Sequence, residues 1–400
     1  MRIRSSLGRR LRGLTGAPAE RRVEPQATVP QALLELARRG PSPLVAVRAN
    51  PTGPLSVAAV IPSFRRGSGG HATIAHLLGE LRARGHSVSL WLEDSDARHA
   101  AESQAVTQRS FAEFFGAGDL TLHSSFEDWQ GADVVLATGW QTVARALLLP
   151  GAGARAYLVQ DHEPDFYGAS AEALWAQQSY RQGLHCIAAS RWLAEELRAR
   201  YGASASHFDL GVDHRVYRPS DERRAEEEVV FYARAATPRR AVPLGLLALE
   251  ELRRRRPTVQ IALYGESVRS TAAFEHRDLG VLEDRRLAAL FAQATVGMVL
   301  SLTNPSLTGL EMMASGLPCV ELASEAMLAT FGRAGPLQLA DAEPLALCSA
   351  IEALLDDARR RAEISRAGIA LMAERTWSRA ADGLEHGLRA ALQGRSQHHG

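Results

Sequence analysis

The chain has 400 residues, 46% of them hydrophobic and 23% charged. That is more than one hydrophobic core ordinarily organises, so two domains with tails are expected. Its 46 basic residues, every one an arginine, balance 45 acidic ones, which argues against wholesale nucleic-acid binding. Cys186, Cys319 and Cys348 are few, odd in number and widely spaced, which fits neither a disulfide framework nor a zinc site and suits a reducing cytoplasm.

In chain order, Met1–Arg22 carries seven arginines but lacks the apolar core of a secretory signal, and no apolar run approaches the ~20 residues of a membrane span. A basic arm is expected here, either solvated or in peripheral contact with an anionic membrane surface, where each arginine adds about 1 kcal/mol. With the Pro-rich stretch Pro25–Pro54, residues 1–54 read as arm and linker. The pattern then becomes strand (Leu55–Ile61), helix (Thr73–Arg84) and strand (Val88–Leu92), a βαβ unit. Apolar runs at Val134–Thr138, Ala156–Gln160 and Ile187–Ala189 alternate with helical stretches Gln141–Leu149 and Arg191–Arg200, as in a doubly wound parallel sheet. After a polar, turn-rich passage around Gly211–Asp221 the alternation restarts at Val229–Tyr232, Gln260–Tyr264, Val296–Leu300 and Pro318–Glu321. The tail Ala342–Leu392 reads as helix broken near Gly368 and Thr376, its last helix able to pack back on the first domain. The expected domains are 55–220 and 221–376, followed by a crossover helix and tail over 377–400.

Five segments are candidates for chemistry. Gly67-Ser68-Gly69-Gly70-His71 follows a strand and opens a helix, where small residues and free amides suit a phosphate. Gly67, Gly69 and Ala72 also satisfy a dinucleotide fingerprint, with Glu93 or Asp94 as its ribose ligand, so an NAD(P)-dependent oxidoreductase stays open. Glu93-Asp94-Ser95-Asp96 otherwise reads as a solvated turn rather than a metal site. Gln160-Asp161-His162-Glu163 lies at the carboxyl edge of the first sheet. There, Asp161 and His162 are candidate catalytic groups and Glu163 an acceptor-side group. Arg234 and Arg239, just after the first strand of the second domain, suit a diphosphate. Last, a polar loop ending in Ser306-Leu307-Thr308 precedes Glu311, an arrangement for amides on a phosphate and a carboxylate on a ribose.

Taken serially, these segments resemble glycosyltransferase family four over nearly all of Leu55–Leu392. Gly69-Gly70, Arg84-Gly85-His86-Ser87-Val88 and Asp209-Leu210-Gly211-Val212-Asp213 resemble that family's glycine loop, strand entry and interdomain turn. The resemblance implies the α/β GT-B architecture: two Rossmann-like doubly wound domains facing a cleft, with the C-terminal helix packed back on the first. It implies a diphosphate on Arg234 and on Arg239, the latter in place of a family lysine, and ribose on Glu311, the second glutamate of a Glu-x7-Glu signature. Thr303 stands where the first glutamate would be, which leaves a catalytically silent sugar-nucleotide binder conceivable. Arg65–His71, Tyr157–Pro164 and Phe231–Arg234 look most like WsaF-type rhamnosyltransferases. These imply a dTDP-L-rhamnose donor, a glycan or lipid-linked glycan acceptor, retention of configuration and no metal.

Overall fold

The computed structural model describes residues 28–46, 52–220, 224–266 and 272–396; the basic arm Met1–Arg22 lies outside them. In the first lobe, β1 (Ser56–Pro62), β2 (Ser87–Glu93), β3 (Thr121–His123), β4 (Ala132–Ala137), β5 (Ala152–Val159), β6 (His185–Ala188) and β7 (Ala205–His207) form one parallel sheet. Its order is β3-β2-β1-β4-β5-β6-β7. β1 reads as an unbroken apolar run, with Val57–Ile61 buried, because helices cover both faces of the sheet. The helix Gly69–Ala83 lays Ile74, Leu77, Leu78 and Leu81, at helical spacing, into that core.

The second lobe repeats the plan with β8 (Glu228–Tyr232), β9 (Gln260–Tyr264), β10 (Arg277–Asp278), β11 (Val296–Met298), β12 (Cys319–Leu322) and β13 (Gln338–Ala340). These are parallel in the order β10-β9-β8-β11-β12-β13. In each sheet the winding direction changes between the first strand and a neighbour, β4 for β1 and β11 for β8. Doubly wound sheets bind ligands in the crevice beyond the carboxyl ends of such strands. The loops 63–68, 138–139, 233–241 and 299–306 are therefore the ones brought to the cleft.

Two chain crossings are stitched together at the hinge. Val212 N donates to Arg375 O at 3.0 Å and Arg375 pairs with Asp209 at 2.8 Å. Gly211 must be glycine, since a Cβ there would lie 2.5 Å from Trp377 N. The helix Trp377–Ser396 then returns to the first lobe, packing on Gly69–Ala83 and on β5, β6 and β7. Close docking again needs a missing side chain: a Cβ at Gly387 would stand 2.7 Å from Ile187 Cδ1.

Two expectations are corrected. Residues 28–46, read as linker, contain the helix Val29–Arg39, which buries Ala32 against the helix Trp140–Leu148, and the chain after it donates from Ser42 N to Leu147 O (2.9 Å) and from Val45 N to Ala152 O (2.9 Å). The tail does not break at Gly368, which lies within Ala358–Ala373 and lets that helix close on Met313. The break falls instead at Asp357, whose side chain caps the next helix by accepting from Arg360 N at 2.9 Å. Among the described residues no helix is long and apolar enough to cross a membrane.

Candidate active site

On the first lobe, β1 runs into a turn that reverses at Gly67, φ +74°, and enters the helix at Gly69. His71 braces the turn, with Nδ1 2.8 Å from Ser68 Oγ and Nε2 3.1 Å from Pro62 O; burial lowers its pKa to about 4, so the ring is a neutral strut. Gly70 O accepts from Gln160 Nε2 at 3.1 Å, joining the glycine turn to the end of β5. The first amides of a helix have no intrahelical acceptor, so Gly69 and Gly70 bring to the cleft donors that no described residue accepts from.

Glu93 and Asp94 are neither a solvated turn nor open to a ribose. Glu93 is buried and held by Arg145 Nε at 2.7 Å, with burial pushing its carboxyl up. Asp94 accepts from Ser63 Oγ and His99 N, each at 2.8 Å. The oxidoreductase alternative thus loses its acidic ligand.

The Asp161-His162-Glu163 run divides into three roles. His162 is 1% exposed, with Nε2 2.6 Å from Tyr201 Oη and Nδ1 2.7 Å from Asp165 Oδ2. Glu163 is buried, accepts from Trp140 N at 2.6 Å and Tyr157 Oη at 2.7 Å, and is pushed up to about 7 by burial. The catalytic role expected of His162 and the acceptor-side role expected of Glu163 are therefore corrected: both side chains are spent inside the first lobe. Asp161 alone reaches across. Its Oδ1 accepts from Asn304 N at 3.0 Å and its Oδ2 lies 2.9 Å from Arg239 Nε. A carboxylate so engaged binds the lobes together and is not a free base.

On the second lobe, Arg234 leaves the end of β8 and its Nη1 donates to Gly67 O across the cleft. Arg239 stacks its guanidinium 4.0 Å over the Phe166 ring while Asp161 holds its Nε. The loop after β11 is braced at successive points. Ser301 N donates to Glu321 at 2.7 Å, Ser301 Oγ accepts from the buried Arg240 at 2.6 Å, and Leu302 N donates to Arg239 O at 3.1 Å. Burial pushes the Glu321 carboxyl up to about 7. Asn304, 1% exposed, then enters the first lobe, donating from Nδ2 to Gln160 O (3.1 Å) and Ala189 O (2.9 Å) and accepting from Ser190 Oγ (2.7 Å).

This clamp sets the helix Leu307–Ala314, with Ser306 as its N-cap, at the mouth of the second sheet. The amides of Ser306, Leu307 and Thr308 stand at its positive end. Glu311 lies one turn further on, half-buried, with no hydrogen-bond partner for its carboxylate among the described residues. Burial, helped by the neighbouring charge of Asp284, pushes its carboxyl up to about 8. Thr303 Oγ1 is buried and also lacks a partner among the described residues. Spacing along the chain assigns Asn304 and Glu321 no role. Only the alternation of polar residues through Ser301, Thr303 and Asn304 hints that this loop is internally held.

The architecture is shared with solved structures at low identity. A sucrose-phosphate synthase from Thermosynechococcus elongatus superposes with a TM-score of 0.65 at 17% identity, covering 85% of this chain and 99% of that one. Anabaena HepE in complex with UDP and glucose gives 0.63 at 14% identity, covering 84% and 100%. These likenesses show the GT-B fold. Residues 127–191 match the WsaF N-terminal domain and residues 227–351 the WsaF C-terminal domain, in chain order. The chain thus resembles WsaF in both lobes. The WsaF N-terminal match runs through Asp161 and Asn304's partners Gln160, Ala189 and Ser190, and the C-terminal match through Arg234, Arg239 and Glu311. Over 195 residues the chain is 34% identical to the O-antigen biosynthesis protein RfbC of Myxococcus xanthus, a match spanning 47% of this chain and 15% of that protein.

Proposed function

We propose that this WsaF-type chain is a glycosyltransferase of bacterial cell-surface polysaccharide synthesis, moving L-rhamnose from dTDP-L-rhamnose onto a glycan or lipid-linked glycan. The observation that carries the reading is Glu311, whose carboxylate has no hydrogen-bond partner among the described residues, one turn inside a helix whose first amides, Ser306–Thr308, face the same cleft as Arg234 and Arg239. A carboxylate below and cations beside a helix N-terminus form the donor set for a nucleoside diphosphate. That HepE holds UDP and glucose in the same fold, and that the Myxococcus relative is an O-antigen biosynthesis protein, supports a nucleotide-sugar donor and a polysaccharide pathway.

In this reading Glu311 accepts from the hydroxyl of the nucleoside's pentose, and the Ser306–Thr308 amides with Arg234 and Arg239 hold the diphosphate. The acceptor approaches from the first lobe, beside Gly69 and Gly70. The bond from the sugar's anomeric carbon to the diphosphate oxygen breaks while the acceptor oxygen bonds on the same face. The acceptor proton passes to the departing diphosphate, so configuration is retained without a protein base or a metal. Arg234 offsets the charge that develops on the leaving group, where a preorganised donor in a dry site acts most strongly. The cross-lobe clamp of Asp161 and Asn304 keeps water, and hence donor hydrolysis, out of the closed site. The reaction takes place in the cytoplasm.

A thermal-shift panel of dTDP, UDP, GDP and ADP, their sugar conjugates and NAD tests the donor, because a ligand that binds only the folded state raises Tm. Stabilisation confined to dTDP and dTDP-L-rhamnose is expected. A response confined to UDP or GDP compounds discards rhamnose and dTDP, and a response to NAD alone discards the reading. Thr303, without a hydrogen-bond partner among the described residues and standing where the family resemblance implies a glutamate, favours one second reading, a silent donor binder, which would bind dTDP-L-rhamnose without ever releasing dTDP.

A further inference from the structure

Beside Arg239 the first lobe presents a continuous run of rings. Phe166 lies under the Arg239 guanidinium. Tyr167 follows it and accepts from Trp140 Nε1 at 3.0 Å, their rings edge to face at 6.0 Å and 84°. Trp175 stands against Trp140 at 6.2 Å and 34°. Tyr167 and Trp175 are only half-buried, and so are Gln141, next to Trp140, and Gln160. Trp140 opens the helix after β4 at the winding reversal of the first sheet, and its backbone amide is fixed by the buried Glu163. The wall is therefore built on the rigid lobe and abuts the proposed diphosphate site through Phe166.

We propose that Tyr167 and Trp175, backed by the buried Trp140, form the acceptor subsite with Gln141 and Gln160, and that it takes a neutral sugar ring. The inference rests on the glycosyltransferase reading for its place in the reaction, but its binding claim stands by itself. A pyranose presents C–H groups on its faces and hydroxyls on its edges. Aromatic faces receive the first and a phenol and uncharged amides the second, the combination of apolar wall and few aimed polar groups that small-molecule sites use. A phosphorylated or uronic acceptor would call for guanidinium forks instead, as the donor side supplies. Glu163, excluded above from contact with the acceptor, has a positioning role here, holding Trp140 in place.

The test is saturation-transfer NMR on the full chain with a panel of methyl glycosides and short oligosaccharides of rhamnose, mannose, glucose, galactose and N-acetylglucosamine. Glucuronate glycosides and glycerol phosphate serve as anionic competitors. Every titration is run with and without dTDP, so the outcome does not depend on the donor. At least one neutral glycan is expected to bind saturably, with the strongest transfer to C–H protons of one sugar face. Trp175→Ala is expected to weaken it at least tenfold, Trp175→Phe to restore most of the affinity, and an unchanged far-ultraviolet spectrum and Tm to show that both variants fold. The proposal is overturned if no neutral glycan binds, if the anionic probes bind in preference, or if Trp175→Ala binds as the wild type does. Absence of a thermal shift with any nucleoside diphosphate would instead count against the donor reading alone.

Discussion

Replacing Asn304 with alanine removes three hydrogen bonds that its carboxamide makes across the cleft, to Gln160 O at 3.1 Å, Ala189 O at 2.9 Å and Ser190 Oγ at 2.7 Å. In the open state these groups are hydrated. The loss to the closed state is therefore the net value of a neutral hydrogen bond, about 0.5–1.5 kcal/mol each, or about 1.5–4.5 kcal/mol for three. That lowers the ratio of closed to open molecules by roughly ten- to a thousandfold, since about 1.4 kcal/mol is a factor of ten. Asn304→Asp is expected to act more strongly, because a carboxylate would face two carbonyl oxygens with nothing to donate. Small-angle scattering without ligand reads the effect directly: the wild type should fit the closed lobes, and both variants should show a larger radius of gyration that contracts on addition of donor. Scattering identical to wild type, with unchanged kcat/KM, would show that Asn304 does not hold the lobes together.

Glu311→Gln tests the buried carboxyl through pH. The folded pKa is raised to about 8, so between the unfolded value near 4.5 and about 8 the native state holds a proton that the unfolded state has released. Wild-type Tm should thus fall relative to Glu311→Gln as pH rises from 5 to 8, and parallel curves would contradict the assignment. Glu163→Ala leaves the Trp140 amide and the fully buried Tyr157 hydroxyl without their acceptor, at about 1–3 kcal/mol each, and a urea midpoint lowered accordingly is expected. Gly387→Val drives a side chain into Ile187, so limited proteolysis should release the C-terminal helix from the variant sooner than from the wild type.

The fold is legible in the sequence because a parallel sheet covered on both faces writes itself as short apolar runs, such as Val57–Ile61 and Val229–Tyr232, spaced by amphipathic helices. Placement at a strand's carboxyl end likewise marks Arg234 and the Ser306–Glu311 passage as cleft residues from spacing alone. What the spacing leaves undecided is the division of labour within Asp161-His162-Glu163. Three adjacent polar residues look equally available, and what separates them is remote: Tyr201 and Asp165 take His162, Tyr157 and the Trp140 amide take Glu163, and Arg239 and Asn304 from the other lobe take Asp161. Asn304 is illegible for the same reason, its partners being backbone oxygens of the first lobe. Gly368 misleads in the other direction: an intrinsic helix-weakener is retained mid-helix because Met313 packs where its side chain would be.

If Arg234 and Glu311 hold the two ends of one nucleoside diphosphate, calorimetric titration of dTDP into wild type, Arg234→Ala and Glu311→Gln reads the share of each. A hydrogen bond to a charged group contributes about 1.5–3 kcal/mol, so removal of Arg234 is expected to weaken dTDP roughly 10- to 150-fold and thymidine hardly at all. Glu311→Gln should weaken both, because both carry the pentose hydroxyl. Equal affinity of all three proteins for dTDP would remove both residues from the donor site.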